Sequence, residues 1–108
     1  MEIDISGRHF HVGEALKDHI IEKVQRMDRY PLKLEMVHVI LEVQKFVHTA
    51  EITALGKRLR LTAKEKSTDM YAAFDKSFEN MKLQLQRQHE RLKDHKARRY
   101  SAGRGLAK

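Results

Sequence analysis

The residues of this sequence that can do chemistry are its cations, and they are gathered at one end. Residues 82–108 hold nine basic residues, namely Lys82, Arg87, Arg91, Lys93, Lys96, Arg98, Arg99, Arg104 and Lys108, against the two acids Glu90 and Asp94. Residues 1–81 hold thirteen basic and thirteen acidic residues and balance to zero. The whole net charge of +7 therefore sits in the last quarter of the chain. Such a run reads as a contact surface for a polyanion. It also reads as a solvated helix end with a basic tail. The sequence pI of about 9.8 favours a nucleic acid or a ribosome as partner.

Other chemistries find little to rest on. There are seven histidines and no cysteine. His9 and His11 share one face of a strand, but two ligands are too few, and no Asp or Glu spacing completes a metal site. No phosphate-binding glycine loop, dinucleotide fingerprint or nucleophile elbow occurs. The carboxylates alternate with basic residues, as on a solvated surface. Neither an enzyme nor a cofactor or metal is expected. No apolar stretch reaches the roughly 18–20 residues of a membrane helix. The start Met1-Glu2-Ile3-Asp4 lacks the pattern of a secretory signal, and the lack of cysteine fits the cytoplasm.

Periodicity supplies the elements that must position these cations. Ile3 and Ile5 alternate with polar residues as a short strand, which Gly7 ends or bends. Gly13-Glu14 opens a helix whose inner stripe is Leu16, Ile20, Val24 and Met27, and Tyr30-Pro31 stops it. Val37, Val39, Leu41 and Val43 then fall on one face of a long strand. Thr49–Leu55 and Leu59–Lys64 are two more strands, with Gly56-Lys57 as the hairpin connection. Ser67-Thr68-Asp69 offers a hydroxyl cap and an early acid to a last helix. Tyr71, Phe74, Phe78, Met81, Leu85 and Leu92 form that helix's inner stripe. The Ser101–Gly105 stretch predicts a break.

The order predicts an α+β fold, β-α-β-β-β-α, with a four-stranded mixed sheet and two helices packed on one face. Residues 1–97 form the domain and 98–108 a flexible basic tail. At 100° per residue, Lys76, Arg87, Arg91 and Arg98 fall roughly opposite the inner stripe of the last helix, with Lys82 and Lys93 along one flank. Lys23 and Arg26 flank the stripe of the first helix. Packed side by side, the helices can join these groups into one cationic surface for phosphates. Tyr71, Phe74 and Phe78 are expected in the core, so recognition by RNA shape and backbone is expected over base stacking. A sheet platform of the RNA-recognition type does not fit the strand order or the aromatic content.

Several stretches together resemble a known family. Asp69-Met70-Tyr71-Ala72-Ala73-Phe74-Asp75 resembles the signature that opens the last helix of the bacterial ribosome hibernation promoting factors and protein Y. Ile3-Asp4-Ile5-Ser6-Gly7-Arg8 resembles the family's first strand and Glu14-Ala15-Leu16-Lys17 the start of its first helix. Val37 to Val43 resembles its second strand, and Ala50-Glu51-Ile52-Thr53 its third. The similarity spans residues 2 to about 96, with five matches in the right order.

The resemblance implies a translation-silencing factor. It would bind the small (30S) subunit and the 70S ribosome through 16S rRNA, in the mRNA and tRNA channel near the decoding centre, during stationary phase or stress. It implies a monomer off the ribosome and, at this length, the short type without a second domain. The basic residues it carries over are Lys23, Arg26, Arg87 and Arg91. Asn80 and Leu83 depart, standing where the family usually has basic residues. The basic tail points to the hibernation promoting type over protein Y. A general structured-RNA-binding module and a protein–protein regulator of transcription, suggested by the family's sigma-54 modulation name, remain open as alternatives.

Overall fold

The computed structural model describes the backbone of residues 1–107 and the side chains of residues 1–93. Strand β1 is Glu2–Arg8, helix α1 Glu14–Gln25, and strands β2, β3 and β4 are Leu34–Gln44, Val47–Gly56 and Leu59–Ser67. Helix α2 is Met70–Ala107. The element order and the α+β class are those expected. The sheet order is β1-β2-β3-β4. β1 runs parallel to β2, and the other two pairings are antiparallel.

Alternation decides which face is covered. Val37, Val39 and Leu41 of β2 are buried, as are Ala50, Ile52 and Ala54 of β3 and Leu61 and Ala63 of β4. These meet Leu16, Ile20 and Val24 from α1 and Phe74, Phe78, Met81 and Leu85 from α2 in one core. The opposite face carries Asp4, His38, Glu42, Glu51, Lys64 and Lys66, each half-buried or exposed. Side chains at successive strand positions alternate between faces, so the period-two reading transfers directly to burial.

Small residues set how closely α2 lies on the sheet. Ala50 and Ala63 stand beneath it, fully or almost fully buried. The buried Ser77 hydroxyl lies 2.6 Å from the Ala50 carbonyl and 3.0 Å from the Ala63 carbonyl, and donates to this pair. The contact ties one turn of α2 to two neighbouring strands and fixes the rotation of the helix.

Several boundaries differ from the sequence expectation: β3 starts two residues early, at Val47, and Gly56 pairs with Leu59, so the β3–β4 turn is Lys57-Arg58 and not Gly56-Lys57. α1 proper ends at Gln25, and Arg26–Arg29 continues as a short 3-10 helix up to Tyr30. Ser67 closes β4, so Asp69 is the cap of α2: its backbone oxygen accepts from the Ala73 N–H and its carboxylate from the Ala72 N–H at 3.2 Å. β1 continues through Gly7 to Arg8. Gly7 is there for space, since a Cβ would collide with the Phe10 carbonyl oxygen. The backbone of α2 stays helical through Ser101–Gly105, where a break was expected. Glycine lowers helix propensity by about 1 kcal/mol but leaves helical angles open.

Burial along α2 stops earlier than its apolar pattern. Leu85 is fully buried, whereas Leu92 is 47% exposed. Seven residues advance a helix by about 10 Å, which carries Leu92 past the end of β4. Tyr71 is also displaced from the expected stripe and is 40% exposed.

Phe74 is the largest fully buried side chain. Phe74→Ala is expected to cost about 3–5 kcal/mol, read as a lower urea midpoint with an unchanged slope. Leu92→Ala, by contrast, is expected to leave the midpoint within about 0.5 kcal/mol.

Candidate nucleic-acid interface

Two helices lying side by side bring one set of cations together. Arg26 and Arg29 follow the end of α1, and Lys82 comes from the middle of α2. With Met27, Tyr30 and Phe78 they line a cleft of about 90 Å³. Phe78 is buried, and its ring organises the site. The Lys23 ammonium stands 5.7 Å from the ring centre and the Lys82 ammonium 6.0 Å from it. Each contact is worth about 0.5–1 kcal/mol at an exposed site. A core aromatic thus holds lysines from both helices beside one another.

The clasp between the helices is ionic. Asp75 Oδ1 accepts from Lys23 Nζ at 2.9 Å and lies 2.8 Å from His19 Nε2. His19 also packs edge-on against Tyr71 and Phe74, with ring centres 5.2 and 5.9 Å away. Burial works to raise the Asp75 carboxyl, but the hydrogen bonds from His19 and Lys23, together with their charges, outweigh it. The net effect holds Asp75 below its usual 3.8. Lys23 is thereby committed to the clasp, while Arg26 makes only an exposed 3.2 Å pair with Glu22 one turn away. Lys82 reaches Glu79 at 3.5 Å.

Two further cations of α2, Arg87 and Arg91, lie on its far side. They turn toward β4, where they line a groove with Leu61, Asn80, Gln84 and Gln88. The sequence placed them directly outward with Lys76, in one surface shared with the first helix. The structure separates them, because α2 has α1 along one flank and β4 along the other. Gln84 fixes this flank by donating to the Thr62 carbonyl at 2.8 Å and to Asn80 Oδ1 at 3.1 Å. Asn80 in turn donates to Glu65 at 3.0 Å. Asn80 therefore helps hold the helix to the edge of β4. Leu83 is exposed on the outward side, near Lys76.

Of the expected site residues, Lys23, Arg26 and Lys82 come together across the two helices. Arg87 and Arg91 form a second group, and Lys76 stands apart on the outward face. Lys93 is exposed past the end of the core. The Arg98 side chain lies outside the described residues. Arg29 was missed. It follows the α1 stripe in sequence, and only the 3-10 turn swings it into the cleft. Among the described residues, no three His, Cys, Asp or Glu side chains are placed to hold a metal ion. No described helix is long and apolar enough to cross a membrane.

α2 is therefore a ridge with a strip of cations on each flank. Comparison with known proteins assigns the chain to a family. Residues 3–93 match the family described as Sigma 54 modulation protein / S30EA ribosomal protein. The chain belongs to this family. It is 30% identical over 95 residues to the ribosome hibernation promoting factor of Escherichia coli K12, covering 88% of this chain and 100% of that one. It is 32% identical over 91 residues to the factor of the same name from Pseudomonas putida, covering 84% and 89%.

Solved structures agree. The S30EA fold seen here superposes on the N-terminal domain of Thermus thermophilus protein Y with a TM-score of 0.73 at 29% identity, over 81% of this chain and 98% of that one. A ribosomal subunit interface protein from Coxiella burnetii has the same fold, with a TM-score of 0.75 at 21% identity.

The clasp makes a pH prediction. A carboxyl held below its unfolded value stabilises the fold above that value, and the contribution is lost as pH falls through the folded value. Wild-type stability is expected to drop on acidification below about pH 4. Asp75→Asn is expected to be less stable at pH 7, with the difference constant down to about pH 4 and shrinking as pH falls further. Urea midpoints from pH 7 to pH 2.5 test it, and a constant difference across the range would remove the clasp from the account.

Proposed function

We propose that this protein is a ribosome hibernation factor that binds the small subunit through 16S rRNA. It occupies the channel used by mRNA and tRNA near the decoding centre and keeps the ribosome silent in stationary phase or stress. The observation that carries this reading is the two-sided cationic ridge of α2, on a chain related to proteins named for ribosome hibernation.

The geometry suits RNA on two sides. A helix with its side chains is about 10–12 Å wide. Arg26, Arg29 and Lys82 face one way from it, and Arg87 and Arg91 the other. A ridge of that width inserted between two RNA segments meets phosphates on both walls, which contacts to a single flat surface would not require. Arginine suits this task because its planar fork can grip a phosphate with two parallel hydrogen bonds. Occupying such a channel excludes mRNA and tRNA sterically, so silencing needs no chemical step.

The two flanks make separate contributions to binding. Each phosphate contact adds about 0.9 to the slope of log affinity against log salt on a duplex, and about 0.7 on a single strand. Arg26→Ala/Lys82→Ala and Arg87→Ala/Arg91→Ala are each expected to flatten the slope by about 1.5–2, and the four changes together by about twice that. Co-sedimentation with purified bacterial small subunits across a salt series reads this. An unrelated RNA hairpin serves as the control for a general RNA-binding module. If folded wild type stays in the supernatant at low salt, or binds the hairpin as tightly as the subunit, the ribosomal reading fails.

A further inference from the structure

Away from the helices, one aromatic side chain stands outside every role described so far. Phe46 is at the tip of the β2–β3 hairpin and is 87% exposed, with Val47 beside it 44% exposed. Gln44 pairs with Val47, so Lys45 and Phe46 are the two turn residues. Turns of this length favour glycine, asparagine or aspartate. Here Lys45 takes the left-handed region at φ 56°, which a lysine adopts only at a cost. The hairpin at the other end of β3 also holds a basic residue in that region, Arg58 at φ 63°, but it presents no exposed aromatic. A single exposed apolar residue is ordinary on a protein surface. Its setting is what singles Phe46 out.

The setting is cationic. The turn borders an open groove on the uncovered face of the sheet, which contains His9, Lys45, Lys64 and Lys66, with Glu42 as the acid on its wall. The pairing register explains the cluster, since Thr49, opposite Glu42 in β2, faces Lys66 across β4. Among the described residues no carboxylate lies within ion-pair distance of Lys45, Lys64 or Lys66. An exposed ring next to one lysine, at the end of a groove that holds two more, can take an unstacked base while the groove takes phosphates of the same strand.

We propose that Phe46 stacks on an unpaired base of the bound RNA while Lys45, next to it, takes a neighbouring phosphate and Lys64 and Lys66 take phosphates farther along the groove. The proposal rests on the RNA-binding reading above and extends it to a second contact region. The cleft at Arg26 and Tyr30 lies where the chain leads into β2, whereas Phe46 lies at that strand's far end. The 11 residues of β2, at about 3.3 Å each, set the two regions roughly 35 Å apart. The sheet is thus a rigid spacer between a phosphate-binding ridge at one end and a base-stacking tip at the other.

The chain has no tryptophan, so Phe46→Trp places a single reporter at the tip. On binding to purified bacterial small subunits, its fluorescence is expected to be quenched by the stacked base. Base stacking on an aromatic is worth about 1–3 kcal/mol, or a 5- to 150-fold change in affinity. Phe46→Ala and Phe46→Leu are expected to weaken binding within that range, and Phe46→Tyr to keep it near wild type. Lys45→Ala is expected to flatten the salt dependence by nearly one unit. Wild-type affinity in the Ala and Leu variants would overturn the stacking proposal and leave the ribosomal reading standing. A blue shift without quenching would replace the base by a protein surface and also overturn it. Failure of the unmodified protein to bind subunits at all would bring down both.

Discussion

The close approach of α2 to the middle of the sheet is the constraint on which the rest depends. It is possible because Ala50 and Ala63 are small and because the Ser77 hydroxyl meets both of their carbonyls. A larger side chain at any of the three would lift the helix or turn it. Rotation matters more than height here. Turning α2 by one residue, about 100°, would carry Lys82 out of the cleft and Arg87 away from β4. The separation of the cations into two strips is therefore a product of core packing, not of surface charge.

The clasp at Asp75 is subordinate to that packing but specific in its effect. It links the two helices on the side away from the sheet, where few apolar contacts join them. An exposed ion pair usually contributes little to stability. This one has two donors on a single oxygen and lies beside the aromatic edges of Tyr71 and Phe74. Its value is in setting the distance between α1 and α2, and so the shape of the neighbouring cleft. It also pairs Lys23 with a carboxylate, which leaves Arg26, Arg29 and Lys82 as the cations that line the cleft.

Much of the fold was legible in the sequence, for a physical reason. Where one face of a strand is covered and the other is not, burial must follow the period of two, and Val37, Val39 and Leu41 show it. The apolar stripe of α2 was equally readable from Phe74 to Leu85. Leu92 was misplaced because periodicity records what a helix offers, not how far the sheet beneath it extends. The flanks of α2 were unreadable for a related reason: a helical wheel gives angles around one axis but not which neighbour lies on which side. Arg87 and Arg91 were placed on the right helix, but the wheel did not show that they line a groove beside β4 and not the cleft with α1. Arg29 depended on a 3-10 turn, and Asp75 on a contact 56 residues away in sequence. Phe46 gave no periodic signal, since a turn residue belongs to no stripe.

The sheet order leaves β1 and β4 as free edges. A free edge is a template for another strand, and an exposed, uncharged one invites self-association. β4 answers this with its own sequence. Arg60, Lys64 and Lys66 all lie on the uncovered face of that strand. A second copy approaching antiparallel would bring arginine and lysine against lysine along the new ladder, and like charges directly opposite one another oppose pairing. The same residues that favour a polyanion therefore guard the edge against another copy of the chain.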